Sequence, residues 1–177
     1  IAALSDARPD LVEGLLHNLD SLSVPADVSF SLNVFHDGIL QGKQFDTSES
    51  RENSSHTHFP ALCECIRKSG LPKSVIGHAI EIYTLLAEAE ADVHGMDIDD
   101  VSFHEVGAWD SVIDVVGAAY FIEALEGTWS CGPVPLGGGQ VDTAHGKLPV
   151  PVPAVTALLT GFQFYQDGLI GERVTPT

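Results

Sequence analysis

Residues 27–38, DVSFSLNVFHDG, decide what kind of fold this chain adopts. Val28, Phe30, Leu32 and Val34 alternate with Ser29, Ser31, Asn33 and Phe35, which is the two-residue period of a strand. Asp37-Gly38 then supplies the dipeptide most typical of a tight hairpin, and a return strand is predicted through about Phe45. A hairpin is antiparallel, so the sheet it seeds is mixed. A parallel doubly wound order, which needs regular strand-helix-strand units, is disfavoured.

Outward from the hairpin the period changes to that of helices. Residues 8–22 start on Pro9 and place Leu11, Val12, Leu15, Leu16, Leu19 and Leu22 at spacings of three and four, an amphipathic helix. On the other side, residues 46–58 are polar without hydrophobic period and read as a mobile surface loop. A short helix is predicted from Phe59 to Ser69, and a longer one from Pro72 to His94 that Gly95 closes. From Trp109 to Leu125 the chain is apolar nearly all round, so that helix should be buried on most faces. Thr128–Cys131 and Phe162–Tyr165 read as short strands, Gly137-Gly138-Gly139 as a tight turn, and Ala154–Thr160 as a last helix. The expected architecture is a single α+β domain over residues 1–177, a mixed sheet with a hairpin packed by several helices. Because the chain opens on Ile1 and ends on Val174-Thr175-Pro176-Thr177 without a closing element, it reads as an excerpt of a longer chain.

The 177 residues carry 25 acidic and 8 basic side chains, a formal net charge of -17. Nucleic acids and anionic membrane surfaces are bound by clustered Lys and Arg, and this chain has few to cluster, so both are excluded as partners. No apolar run approaches the roughly 18 residues that cross a bilayer. Three cysteines, Cys63, Cys65 and Cys131, form no disulfide framework and suit a reducing compartment, so the cytoplasm is expected. The acidic excess is either a solvated surface or a field that attracts cations.

Three constellations could carry chemistry. In the first, His104, Glu105, Asp110 and Asp114 gather at the mouth of the apolar helix, with Asp110 and Asp114 four apart on one face. Asp110 is a natural helix cap, and Asp114 suits the positive end of the helix dipole. Yet a carboxylate between Ile113 and Val115 on an apolar helix must find a partner or neutralise, and a cation would serve. The second is His56 and His58, a His-x-His in the polar loop, able to chelate a borderline divalent metal when neutral. Third, Gly137, Gly138 and Gly139 allow close approach of backbone amides to an anion, with His145 and Lys147 nearby. The spacing is neither a Walker A loop nor GxGxxG, so a tight corner explains it equally. His94 suits a helix C-terminus, and His17, His36 and His78 read as solvated.

The run His104-Glu105-Val106-Gly107-Ala108 with Asp110-Ser111 and Asp114, followed by Pro135-Leu136-Gly137, Thr143-Ala144-His145-Gly146 and Leu148-Pro149-Val150-Pro151, resembles the N-terminal region of the LarC family of nickel-insertion proteins. The ending Gly171-Glu172 with Val174–Thr177 resembles it as well. The resemblance implies a CTP-dependent nickel insertase, with a divalent cation accompanying CTP. It would place nickel into pyridinium-3,5-bisthiocarboxylic acid mononucleotide to form the nickel-pincer cofactor of lactate racemase. It also implies that this chain lacks an opening strand and a C-terminal domain to which nucleotide and metal binding belong, so activity of this piece alone stays open. Forming a nickel–carbon bond requires loss of a ring proton, for which Glu105, Asp110 and His145 are candidate bases by position. The competing expectation is a non-catalytic scaffold or metal-delivery module, and self-association stays open. A metal-dependent hydrolase is a third class, and the sequence holds no HExxH to support it.

Overall fold

The structure, a computed structural model, describes residues 1–48, 57–103, 108–143 and 146–176. The chain starts with α1 (Ala2–Ala7), a 3-10 turn over Pro9–Leu11 and α2 (Val12–Asp20). The predicted helix over 8–22 is therefore shorter, because Pro9 fits a first turn but the preceding backbone at Arg8, φ -132 and ψ 70, is not helical. Its apolar stripe points inward as expected, with Leu15 and Leu19 fully buried.

The hairpin is β1 (Ser29–His36) paired antiparallel with β2 (Gln41–Ser48), in register from Ser29 opposite Ser48 to His36 opposite Gln41. Asp37 closes it by accepting hydrogen bonds from the backbone amides of Ile39 (2.8 Å) and Leu40 (2.7 Å), and Gly38 takes φ +99. The Leu40 and Ile39 amides hold the Asp37 carboxyl below its ordinary range. Phe30 and Phe45 stack across the ribbon at 6.2 Å and pack against the core, while Val34, Phe35, Ile39 and Leu40 towards the tip are exposed.

β2 runs to Ser48, and β3 (Thr57–His58) pairs with β4 (Ser102–Phe103), so both ends of the expected 46–58 loop belong to strands. The remainder, 49–56, lies outside the described residues. α3 (Phe59–Lys68) buries Phe59, Leu62, Cys63 and Ile66 on one stripe. Cys65 falls on the opposite side and is exposed, so of the two neighbouring thiols only Cys63 packs inside. α4 (Lys73–His94) ends on Gly95 at φ +66, the left-handed cap predicted for it, and His94 pairs with Glu90 at 3.4 Å. A 3-10 turn over Ile98–Asp100 leads to β4.

α5 (Trp109–Leu125) is the centre of the molecule: Ile113, Val116, Ala119 and Phe121 are fully buried. α2 and α4 pack on it, and Ile1 lies so close to Gly117 that a β-carbon there would meet the Ile1 side chain at 2.5 Å. The expectation of an all-round buried helix holds because neighbours cover nearly every side of it.

Beyond α5 the chain makes β5 (Val134–Pro135), β6 (Gly137–Gly138), β7 (Gln140–Thr143), β8 (Gly146–Pro149), α6 (Pro153–Leu158), β9 (Phe164–Tyr165) and β10 (Gly171–Glu172). Among the described residues the strands form five two-stranded sheets, four antiparallel and β5 with β9 parallel. The fold is α+β. Thr128–Cys131 is not a strand: these residues are exposed and have no strand partner, and a strand exists only by its pairing. No helix among the described residues is long and apolar enough to cross a membrane.

Candidate functional site

α5 begins at an extended Ala108 that offers no side-chain cap, so the cap expected of Asp110 falls two residues earlier. Asp110 instead lies in the first turn, where Oδ1 accepts the Ser111 amide at 2.7 Å. Asp114 follows one turn later on the same face, and both carboxylates reach solvent. Burial against its neighbours raises the Asp114 carboxyl above its ordinary range, and the Asp110 charge adds to this while the amino group of Ile1 opposes it. Water on the exposed side of Asp114 limits what that shift is worth in stability.

Under these carboxylates lies Tyr83 of α4, fully buried. Its ring sits 5.8 Å from Phe103, which in turn meets Phe59 edge-on at 6.3 Å. Burial pushes its phenol far above the usual range, and the charges of Asp110 and Asp114, then that of Cys63, push it further. Tyr83 therefore stays protonated throughout the physiological range. The Cys63 thiol is raised by burial as well, against the lowering effect of Arg67.

His78, five residues before Tyr83 on α4, places Nε2 3.4 Å from Glu123 of α5 and Nδ1 3.9 Å from Glu81. With His78 opposite Glu123 and Tyr83 near Asp110 and Asp114, α4 and α5 run antiparallel. His78 is thus a bridge between helices and not the freely solvated residue its sequence position indicates. His104 and Glu105 lie outside the described residues, as do His56 and His145. His58 is described: it is exposed in β3, and its Nδ1 lies 3.0 Å from the Ser102 hydroxyl across the β3–β4 pair. No three His, Cys, Asp or Glu side chains among the described residues form a metal-holding group.

The glycine turn has a local cause. Gly137 at φ +74 lies so close to β10 that a β-carbon would collide with the Gly171 carbonyl oxygen and meet Arg173 Cγ at 2.8 Å. Gly138 pairs with Gly171, and Gly139 at φ +89 faces Ile170. The cations flanking the turn are both engaged: Lys147 Nζ with Asp142 at 2.8 Å, and Arg173 Nε with Asp167 at 3.1 Å.

Comparison with known proteins decides the family. Residues 1–177, the whole chain, match the nickel insertion protein family. This chain belongs to that family. Among its relatives, the pyridinium-3,5-bisthiocarboxylic acid mononucleotide nickel insertion protein of Akkermansia muciniphila is 40% identical over 185 residues, which is 100% of this chain and 45% of the relative. The protein of the same name from Desulfitobacterium hafniense is 38% identical over 184 residues, 100% of this chain and 44% of the relative. A nickel insertion relative from Geobacter metallireducens is 47% identical over 127 residues, 71% of this chain and 33% of its own length. The chain thus spans between a third and a half of the length of these relatives. No solved structure matches it.

Within this chain, the Asp110–Asp114 pair is legible from the four-residue spacing. Tyr83 is not: it sits on the stripe of Val75 and Ala79 and reads as core, and its nearness to the carboxylates is created by the α4–α5 packing. His78 carried one usable sign, Glu81 three residues on along the same helix.

Proposed function

We propose that this chain is the part of a nickel insertase that gathers the metal, in a protein that inserts nickel into pyridinium-3,5-bisthiocarboxylic acid mononucleotide. The observation that carries this reading is the family match over all 177 residues together with relatives of that name aligned over the whole chain. Nickel is here a substrate, held in passing and released.

The charge pattern supports the cation-gathering half. Between Lys73 and Lys147 the sequence has no Lys or Arg and thirteen carboxylates. Asp110 and Asp114 lie within that stretch, and neither Lys nor Arg from it is available to compensate them. We assign metal contact to His104 with Asp110 and Asp114 at the start of α5, with Glu105 beside them as a proton acceptor. His56 and His58 serve as a first port for the ion, because a pair of imidazoles captures a borderline metal without enclosing it. Gly137, Gly138, Gly139 and His145 are assigned to the mononucleotide side.

CTP, with its divalent cation, is assigned to the complete protein. The glycine turn does not fit a triphosphate: its tightest glycine is required by the Gly171 carbonyl, and the neighbouring Lys147 and Arg173 are each held by an aspartate. The same reading places the product as the cofactor of lactate racemase and the protein in the cytoplasm.

The test is nickel incorporation by the complete protein carrying His104→Ala or Asp114→Asn, with nickel in the isolated mononucleotide measured by mass spectrometry and folding followed by circular dichroism. Loss of an essential ligand or base should lower incorporation by on the order of 100-fold with the fold intact. Unchanged incorporation in both variants removes the α5 site. Omission of CTP from the same assay tests the nucleotide requirement separately.

A further inference from the structure

Residues 127–141 and 148–166 contain no Asp, Glu, Lys or Arg, in a chain that has 33 such residues elsewhere. These two neutral stretches meet as β5 and β9, where the Val134 amide donates to Gln163 and the Leu136 amide to Tyr165. Two parallel strands are an incomplete sheet. Parallel strands ordinarily lie within larger sheets covered on both faces, and no third strand among the described residues joins this pair. The side chains along β9 and on either side of it are large, apolar and open: Phe162, Phe164, Tyr165 and Leu169 are at least half exposed, and Ile170 is 86% exposed.

We propose that this neutral strand edge is where two copies of the chain associate. Phe164–Tyr165 of one copy pairs antiparallel with the same residues of the second across a two-fold axis, and Phe162, Leu169 and Ile170 close over the joint. Charge selects this face. Each copy carries -17, so two copies approaching by their acidic helices repel, whereas β9 itself carries no charge and the neighbouring Asp167 is paired with Arg173 at 3.1 Å. A basic partner would be drawn to the acidic helices and not to this edge. Size agrees: five side chains half exposed or more offer on the order of 500 Å² per copy, and with the flanking main chain this approaches the roughly 800 Å² per partner of a standard interface. A self-complementary patch is also what a two-fold dimer requires.

The experiment is sedimentation velocity on this chain over a concentration series at low and high salt. The apparent mass should rise towards twice that of one chain, and more readily at high salt, because screening weakens the repulsion of the acidic surfaces. Phe164→Glu and Ile170→Glu should each return it two-fold, to the mass of one chain. Ile170 is so exposed that its replacement leaves the fold untouched, and an unchanged thermal transition verifies this. Phe35→Glu at the β1–β2 tip should leave the dimer as it is. A single-chain mass at every concentration and salt would overturn the proposal and give this face to another occupant. So would a dimer that survives both substitutions at the β9 edge, or one that Phe35→Glu dissolves.

Discussion

Replacing Gly137 with alanine separates a structural glycine from one kept for a ligand. At φ +74 a β-carbon costs roughly 1–2 kcal/mol in backbone conformation alone. The new carbon also collides with the Gly171 carbonyl oxygen and meets Arg173 Cγ at 2.8 Å, so β6 must move away from β10. Losing that pairing removes about 1–2 kcal/mol of hydrogen bonding, at about 1 kcal/mol per bond. The total is roughly 3 kcal/mol, a large fraction of a typical domain's 5–15 kcal/mol. Gly38→Ala is the control: it too has positive φ, +99, but nothing lies within 4 Å, so only the backbone cost of roughly 1–2 kcal/mol applies. At about 2–4 °C per kcal/mol for a chain of this size, Gly137→Ala should lower the melting temperature by about 6–12 °C and Gly38→Ala by about 2–8 °C, the smaller loss at any one slope. Calorimetry on the two variants measures the difference. Equal losses would refute the collision with Gly171 and return the glycine turn to the ligand-binding explanations.

Two smaller effects follow from α5. The raised Asp114 carboxyl holds its proton to higher pH in the folded chain than in the unfolded one. The stability linked to it is therefore fully present below the unfolded value near 3.8 and is lost as pH climbs through the raised folded value. Asp114→Asn should accordingly stabilise the chain at neutral pH, by a few tenths of a kcal/mol given the exposed carboxyl, and should remove that slope from a urea-denaturation series across acid pH. Tyr120→Phe deletes the 2.9 Å hydrogen bond from the Tyr120 hydroxyl to the Leu11 carbonyl, and should lower the unfolding free energy by about 1 kcal/mol, read as a lower urea midpoint at unchanged slope. A β-carbon at Gly14 would collide with that same hydroxyl, so Gly14→Ala should cost less in the Tyr120→Phe background than in the native one.

The elements that could be read from sequence are those whose signal repeats. β1 has an alternating face and a turn dipeptide with a physical reason, and α5 has apolar residues on every side over four turns. The short strands lack this. β6 is two glycines, and its partner Gly171–Glu172 lies over thirty residues away, so no local period betrays the pair. Thr128–Cys131 shows the converse error, a strand-like composition without any strand to join. The candidate site divides along the same line. Asp110 and Asp114 are related by helix geometry within one element, whereas Tyr83 beneath them and His78 against Glu123 are brought there by packing of α4 on α5.

The electrostatics of α5 bear on what kind of metal handling the proposed function requires. Like charges four residues apart on a helix cost a few tenths of a kcal/mol, and the stretch from Lys73 to Lys147 offers no Lys or Arg to offset them. The Ile1 amino group offsets the Asp114 charge in part, and a proton or a bound cation would do so further. Under the proposed function a cation would compete with the proton that the raised Asp114 carboxyl favours. His78 cannot substitute without leaving Glu123, to which it ties the far end of the helix pair. Under the proposed function an open carboxylate pair of this kind would hold a divalent ion by charge and partial coordination, in contrast to the closed four-ligand cages of structural sites. For an ion that is cargo, weak and exposed retention is what transfer demands: a tighter site would strengthen capture and slow release by the same free energy.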